Sequence, residues 1–213
     1  KMIISRLLKK GNNVIIFFED NSKIKIDYEV AAKSGLRSND DLSDELREKL
    51  LEQDLRIRVR NGAFNYLGRR HHSFFELRKK LSAKGYDKEV IDETLNELKD
   101  KGYIDDEDFA KRYIEEAVLR KKSGTNKIIA GLYQKGISRE IINRAMNSFD
   151  NDDEMTQNAL EIAKKKLVSL KNRDIEKHKL KTKLFSFISG KGYSSDIIKK
   201  VLSKLDLNQE EEY

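Results

Sequence analysis

The sequence lacks cysteine, proline and tryptophan entirely among its 213 residues. The absence of cysteine excludes disulfide bonds and thiolate metal sites. No apolar stretch approaches the roughly 18 to 20 residues that a membrane-spanning helix needs, and no secretory signal pattern is present, so we expect a soluble cytoplasmic protein. Charged residues are abundant instead: 44 lysines and arginines against 37 aspartates and glutamates give a net charge of +7.

A helical segment occurs three times with the same internal spacing, at intervals of roughly 50 residues. Each copy has an apolar residue, a Lys-Gly pair three residues later, two adjacent apolar residues and two more at the spacing of one helix face. The copies are Leu81, Lys84-Gly85-Tyr86, Val90-Ile91, Leu95 and Leu98; Leu132, Lys135-Gly136-Ile137, Ile141-Ile142, Met146 and Phe149; Ile188, Lys191-Gly192-Tyr193, Ile197-Ile198, Leu202 and Leu205. Such a period is typical of repeat proteins, which present an extended binding surface.

The glycine in each copy is predicted to end one helix, because glycine adopts the left-handed conformation at no steric cost. Two residues later stands a side chain that can cap the next helix, and these are Asp87, Ser138 and Ser194. An amphipathic helix upstream completes each unit, and Ser73 to Glu76 has the pattern of a capping box. The pattern therefore predicts three consecutive three-helix units.

The N-terminal part differs from the repeats. Val14 to Phe18 is a short apolar run, Asp20-Asn21 is typical of a turn, and Ile24, Ile26 and Tyr28 alternate with polar residues. This pattern predicts a β-hairpin, with Met2 to Leu8 as a possible further strand.

The fold class is therefore predicted to be mainly α: three tandem three-helix repeats, preceded by a small N-terminal β-hairpin region. The predicted regions are 1–40 for the hairpin, 41–53 for a connecting helix, 54–102, 103–151 and 152–213 for the repeats, the last with a turn near Asn172 and an acidic tail.

Basic and acidic blocks alternate in step with the repeats. Residues 56–84 hold nine basic and one acidic side chain, 111–139 hold eight and two, and 164–191 hold ten and two. The stretches 87–108 and 140–161 are acidic. For a single block, internally paired and solvated helix faces are the ordinary interpretation. Recurrence in all three units instead favours a basic stripe along the first two helices of each unit, which would attract a polyanion.

Three further runs of residues give the chain a specific resemblance. They are Leu67-x-x-Arg70-x-x-Ser73-x-x-Glu76-Leu77-x-x-x-Leu81-x-x-Lys84-Gly85-Tyr86; Leu98-x-x-x-Gly102-Tyr103-Ile104-Asp105-Asp106-x-x-Phe109-Ala110; and Lys122-x-Gly124-x-x-x-Ile128-x-x-x-Leu132-x-x-Lys135-Gly136-Ile137. Over nearly its whole length the chain resembles the RecX family, bacterial regulators of the RecA recombinase. Two features depart from the family pattern: Thr125 stands where proline is common, and a longer basic insertion lies around Leu170 to Lys183.

The resemblance implies a non-enzymatic, monomeric modulator without cofactor or metal. It implies an elongated curved stack that lies in the helical groove of a RecA–DNA filament. There such proteins inhibit filament growth, ATP hydrolysis, strand exchange and coprotease activity. The basic stripe is expected to contact RecA and single- or double-stranded DNA through Arg69, Arg70, Arg78, Lys79, Lys80, Lys84, Arg120, Lys121, Lys122, Lys127, Lys135, Lys179, Lys181, Lys183 and Lys191.

Two other functions are considered. Pairs of short helices with basic flanks also suggest a DNA-binding regulator that uses helix-turn-helix-like units. A nuclease site at Asp105, Asp106 and Asp108 is disfavoured, because these acids stand where carboxylates cap a helix. His71, His72 and His178 lack metal-ligand spacing and are expected to be solvent-exposed or to contact phosphate.

The aromatic residues are interpreted mainly as core. Tyr86, Tyr103, Phe109 and Tyr113 are predicted to pack. Of the adjacent Phe74 and Phe75, only one is expected to point into the core, leaving the other at the surface.

Overall fold

The computed structural model describes residues 2–149, 152–171 and 176–205. The turn expected near Asn172 and the acidic tail lie outside these residues. The chain divides after Ile104 into two compact units.

The first unit begins with an antiparallel sheet in the order β3-β2-β1-β4. Its strands are β1 (Met2–Lys10), β2 (Asn13–Phe18), β3 (Lys23–Asp27) and β4 (Asp41–Leu42). The predicted hairpin is confirmed as β2 and β3, and the further strand as β1. The two-residue β4 was not predicted, because it is too short for an alternating pattern.

The strand predicted to run through Tyr28 ends one residue earlier. The Asp27 side chain accepts a hydrogen bond from the Glu29 amide at 2.9 Å, and this cap begins helix α1 (Tyr28–Ser34). Val14, Ile16 and Phe18 on one face of β2 then pack with Val30 of α1 to form the sheet's core.

The connecting helix and the first helix of the first repeat are one continuous helix, α2 (Asp44–Leu67), capped by Ser43. Near its middle, the buried Asp54 carboxylate accepts hydrogen bonds from the Asp27 amide and the Arg58 Nε, both at 2.6 Å. Because this carboxylate is buried and fully engaged, it fixes the end of β3 to the helix that continues into the first repeat.

The helices after α2 complete three three-helix domains, which confirms the predicted fold class. They are α3 (Phe74–Ser82) and α4 (Lys88–Asp100); α5 (Asp106–Leu119), α6 (Thr125–Gln134) and α7 (Arg139–Ser148); α8 (Asp152–Lys171), α9 (Lys177–Gly190) and α10 (Ser195–Lys204). Between the second and third helix of each domain, the chain turns at a glycine with positive φ: Gly85 (83°), Gly136 (74°) and Gly192 (92°). Asp87, Ser138 and Ser194 cap the following helices as predicted.

The repeats bury their apolar faces in two cores. The first domain closes a core around Leu77, Leu81 and Leu95 within the first compact unit. The second and third domains share a single core, in which Leu132 and Ile188 belong to the same cluster. The second compact unit is therefore a fused pair of repeats.

A backbone contact joins the two repeats of the second unit. The Gly124 amide donates to the Lys191 carbonyl at 2.9 Å, and the Asn126 amide donates to the Gly192 carbonyl at 3.0 Å. A Cβ atom at Gly124 would lie 2.3 Å from the backbone of Gly192 and Tyr193. The turn before α6 thus lies directly against the turn before α10, and only glycine fits there.

Candidate nucleic-acid interface

The turn between α2 and α3 uses Arg70 to hold its own structure. The Arg70 guanidinium donates two hydrogen bonds to the Glu76 carboxylate, at 2.9 and 3.1 Å, and one to the His71 carbonyl at 2.7 Å. Ser73 caps α3 by accepting from the Glu76 amide. The Glu76 side chain is only 10% exposed. Arg70 was predicted as a contact residue, but its geometry is that of a structural ion pair.

Arg78 was predicted to face a partner as well. Its Nε and one terminal nitrogen bind the two oxygens of Asp92, at 2.6 and 2.9 Å, which ties α3 to α4. Arg56 similarly joins α2 to Glu93 of α4. Arginine forms two-pronged pairs with carboxylates readily, and Arg78 has this geometry. Both arginines therefore stabilise the first domain, and Arg78 is a poor candidate for binding.

Four other cations of the first domain lie on α3 or in the turns that flank it, and two of them lie beside the Tyr66 ring. The Lys80 and Lys84 ammonium groups lie 4.8 and 5.0 Å from the centre of the Tyr66 ring. Arg69, in the turn after α2, and Lys79 are exposed, and within residues 2–149 neither forms an ion pair. We call Arg69, Lys79, Lys80 and Lys84 the α3 basic surface.

His72 contradicts the prediction that it is exposed. The side chain is buried, its ring lies 5.9 Å from that of Tyr66, and its Nδ1 is 3.0 Å from the Arg70 carbonyl. Burial lowers the pKa of His72, so the ring is neutral near pH 7 and Nδ1 donates to the carbonyl. His72 therefore supports the turn that carries Arg69.

Lys122, in the second unit, is also a structural residue. Its backbone has a positive φ of 46°. Its ammonium group pairs with Glu161 of α8, and its carbonyl accepts a hydrogen bond from the Tyr193 hydroxyl at 2.8 Å. The residue thus joins the second repeat to the third through both its side chain and its backbone. Its expected contact with a RecA–DNA filament stays a prediction.

Alkaline pH is expected to weaken this junction through Tyr193. Burial raises the pKa of Tyr193 from 10.0 to about 12. Between these two values the unfolded chain loses the proton while the folded chain keeps it, so ionisation stabilises the unfolded state and stability falls as pH rises above about 10. Tyr193→Phe removes this ionisation. Urea unfolding from pH 8 to 11 should show a smaller loss of stability in Tyr193→Phe than in the parent; equal slopes would contradict the assignment.

Apart from Lys191, the remaining predicted cations of the second unit fall into three groups. Lys121 pairs with Glu116 at 2.9 Å, and Lys179 pairs with Glu176 at 3.0 Å, so both are partly neutralised. Lys135 ends α6 and is half-buried. Four cations are exposed and form no ion pair within the described part of this unit: Arg120, Lys127, Lys181 and Lys183.

Lys191 flanks an aromatic ring, as Lys84 does in the first domain. Its ammonium group and that of Lys166 lie 5.7 and 5.4 Å from the centre of the Phe187 ring. Tyr66, Lys166 and Phe187 were not identified from sequence. The repeat spacing contains part of the signal, because Phe187 precedes Ile188 as Lys80 precedes Leu81, and Lys191 occupies the position of Lys84.

The acidic cluster is a helix start, as predicted. The Asp105 carboxylate accepts from the amides of Glu107 and Asp108, at 2.8 and 3.0 Å. Asp108 pairs with Arg112, and Glu107 with Arg144. Within the described residues, no group of three histidine, aspartate or glutamate side chains is placed to hold a metal ion.

Substitution of Asp105 separates capping from metal ligation. Asp105→Ala should lower the free energy of unfolding by about 1 kcal/mol, whereas Asp105→Asn and Asp105→Ser should recover most of this loss, because either side chain offers an oxygen to the free amides. Thermal unfolding with magnesium and with chelator measures both effects. A magnesium-dependent rise in the melting temperature that is lost in Asp105→Asn would instead indicate a ligand.

The aromatic predictions have mixed outcomes. Phe74 packs against the first core while Phe75 is 44% exposed, as expected for adjacent residues. Phe109 is buried. Tyr103 was predicted to pack but is 56% exposed, because it only rests edge-on against Phe64, with ring centres 5.0 Å apart.

Among the helices described, none combines the length and apolar character required to cross a bilayer.

Family models match all three helical domains. Residues 60–98 match the model described as RecX, first three-helix domain, residues 105–146 match the second three-helix domain, and residues 152–202 match the third.

Curated relatives match along almost the whole chain. The regulatory protein RecX of Clostridium botulinum (strain Alaska E43 / Type E3) is 32% identical over 196 residues, which is 92% of this chain and 91% of the relative. That of Clostridioides difficile (strain 630) is 32% identical over 202 residues, 95% of this chain and 93% of the relative.

Two solved structures have similar folds. A crystal structure of regulatory protein RecX superposes with a TM-score of 0.75 at 20% identity, over 95% of this chain and all of the other. The crystal structure of RecX from Lactobacillus salivarius gives 0.64 at 26% identity, over 73% of this chain and 99% of the other.

Proposed function

The chain belongs to the RecX family of regulatory proteins, and from this we propose that it inhibits the RecA recombinase by binding in the groove of RecA–DNA filaments. The family models cover the helical domains, and relatives with this name match over most of the chain. We further propose that it acts as a monomer in the cytoplasm, where the filaments form, and that its action requires no catalysis.

The α3 basic surface is the observation that carries the proposal. Arg70 and Arg78 are held by carboxylates, whereas Arg69, Lys79, Lys80 and Lys84 remain available. Cations that are not paired internally neutralise phosphates or acidic protein groups without first losing an internal partner. In the second unit, Arg120, Lys127, Lys181 and Lys183 meet the same condition. We propose that these two sets contact the filament.

Inhibition would follow because such a contact spans several RecA subunits. RecA hydrolyses ATP and adds protomers within a filament whose subunits must change their relative positions. A protein that binds neighbouring RecA subunits and the DNA at the same time has a higher affinity for one arrangement of the subunits than for the others. Its binding therefore stabilises that arrangement and opposes the change that RecA activity requires. A surface distributed over repeats is suited to this, because each repeat contributes a few contacts.

The helix-turn-helix alternative is weaker in the first domain because of charge. If α4 were a recognition helix, it would place Glu89, Glu93 and Glu97 among phosphates, since all three are exposed. Acidic side chains on the groove-facing element oppose DNA binding. Little sequence preference among duplexes is therefore expected.

A titration of RecA activity tests the proposal. RecA hydrolysing ATP on single-stranded DNA is mixed with increasing amounts of the purified chain. We expect hydrolysis to fall at amounts below one chain per RecA, because one bound molecule affects several subunits. Unchanged hydrolysis at a molar excess would refute the proposed function. A control with ATP hydrolysis by an unrelated DNA-dependent ATPase excludes simple sequestration of the DNA.

A further inference from the structure

The N-terminal sheet has a second face that its core does not use. Along β2, Val14, Ile16 and Phe18 are buried in the core, so the residues between them point to the opposite face. Ile15 and Phe17 belong to that face and are half-buried. No helix of the first unit covers them with core contacts, and their surroundings are supplied by the neighbouring strands.

Strand register defines what surrounds Ile15 and Phe17. On β1, Arg6 lies opposite Phe17 and Leu8 opposite Ile15, and β3 continues each row. From β1 to β3 the three rows on this face are Arg6, Phe17 and Lys23; Leu8, Ile15 and Lys25; and Lys10, Asn13 and Asp27. The face thus has an apolar centre with an aromatic ring and a border of basic side chains.

The charge of this face is positive and is not balanced within it. Arg6, Lys10, Lys23 and Lys25 are exposed, and none forms an ion pair within the described residues. Asp27 is the one carboxylate in the three rows, and it accepts the Glu29 amide at 2.9 Å as the cap of α1. Four cations without a facing carboxylate create a potential that favours a polyanion.

The aromatic ring specifies the kind of polyanion. The Arg6 guanidinium carbon lies 4.2 Å from the centre of the Phe17 ring, so the two planar groups are adjacent on the exposed face. Unpaired bases stack on aromatic rings and on arginine planes, whereas bases inside a duplex are not accessible to a flat protein surface. Lysines at the border match phosphates spaced along one strand.

We propose that this face of the N-terminal sheet binds single-stranded DNA, with bases stacked at Phe17 and Arg6 and phosphates contacted by Lys10, Lys23 and Lys25. The sheet precedes the residues matched by the first family model, 60–98. The inference therefore does not depend on how the helical domains bind RecA, and it gives the N-terminal region a function of its own.

Charge reversal tests the electrostatic part. The full chain is titrated into a fluorescent oligothymidylate of about 15 nucleotides, and anisotropy is measured at several salt concentrations. The sheet variant carries Arg6→Glu, Lys10→Glu, Lys23→Glu and Lys25→Glu. A dispersed control variant carries Lys49→Glu, Lys88→Glu, Lys111→Glu and Lys199→Glu, which are exposed and change the net charge equally.

The sheet variant should bind at least about tenfold more weakly than the dispersed control. The slope of its log affinity against log salt concentration should also become shallower by about 0.7 for each lost phosphate contact. Circular dichroism and thermal unfolding verify that both variants fold. Equal binding by the two folded variants would overturn the proposal.

Substitution of Phe17 tests the proposed base stacking without a change in net charge. Phe17→Leu keeps an apolar residue in β2 but removes the ring, and Phe17→Tyr keeps the ring. Because stacking of one base contributes substantially to affinity, Phe17→Leu should weaken oligothymidylate binding by roughly fivefold, and Phe17→Tyr should leave it nearly unchanged. Equal affinity of the two variants would overturn the stacking assignment.

Binding of a protein partner at this face predicts a different result. If the face binds RecA instead of DNA, the sheet variant would keep its affinity for oligothymidylate and lose inhibition of RecA. That result would refute this inference while leaving the proposed function intact. If the wild-type chain fails to inhibit RecA but shows the expected losses with oligothymidylate, the inference stands and the proposed function fails.

Discussion

The α3 variant, in which Arg69, Lys79, Lys80 and Lys84 are all replaced by glutamate, should lose inhibition of RecA. The change replaces four attractive contacts with repulsive ones. If each contact contributes roughly 1 kcal/mol, the concentration for half-maximal inhibition should rise by about 1,000-fold or more. Arg70 is left unchanged, because its ion pair with Glu76 holds the turn. The readout is the ATP hydrolysis titration with RecA and single-stranded DNA.

The dispersed control variant keeps this test specific. It has the same net charge as the α3 variant. If the α3 variant failed only because the whole chain is attracted less to DNA, the control would lose the same amount of inhibition. We expect the control to inhibit within a few-fold of the parent. Full inhibition by the folded α3 variant would show that the filament contact lies elsewhere on the chain.

Gly124→Ala should produce a large loss of stability at the repeat junction. The new Cβ would meet backbone atoms of Gly192 and Tyr193 at 2.3 Å, and backbone does not rotate away as a side-chain end does. The two hydrogen bonds between the turns would be lengthened or lost. We expect the free energy of unfolding to fall by roughly 3 kcal/mol or more, and the melting temperature by about 10 °C.

Gly85→Ala is the matched control for Gly124→Ala. Gly85 has a positive φ of 83°, but a Cβ there would meet nothing within 4 Å. Its replacement tests backbone strain alone, which costs about 1 to 2 kcal/mol. Denaturant unfolding compares the two variants. If Gly124→Ala lowers the free energy of unfolding no more than Gly85→Ala does, the close contact between the two turns is contradicted.

Local rules explain why much of the fold was predictable. Gly85, Gly136 and Gly192 end helices because of their own backbone freedom, and Asp87 begins one because its carboxylate reaches the next amides. These effects act over a few residues and repeat at a fixed spacing. Leu81, Leu132 and Ile188 were accordingly identified as core, and all three are buried.

Long-range pairing explains what was not predictable. Arg78 binds Asp92 across a turn, and Lys122 pairs with Glu161 from the next repeat. Sequence places these cations in basic blocks but does not show which of them a carboxylate already occupies. The structure therefore divides the basic stripe into structural pairs and available cations such as Lys79. The contact of the buried His72 ring with Tyr66 likewise joins the turn before α3 to helix α2.

The most direct test of the central claim is co-sedimentation of the chain with preformed RecA filaments on single-stranded DNA. We predict that the wild-type chain sediments with filaments at a salt concentration that releases it from naked single-stranded DNA, since protein contacts add to phosphate contacts, and that the α3 variant stays in the supernatant. Identical salt dependence on filaments and on naked DNA would contradict the account, because the chain would then recognise DNA alone.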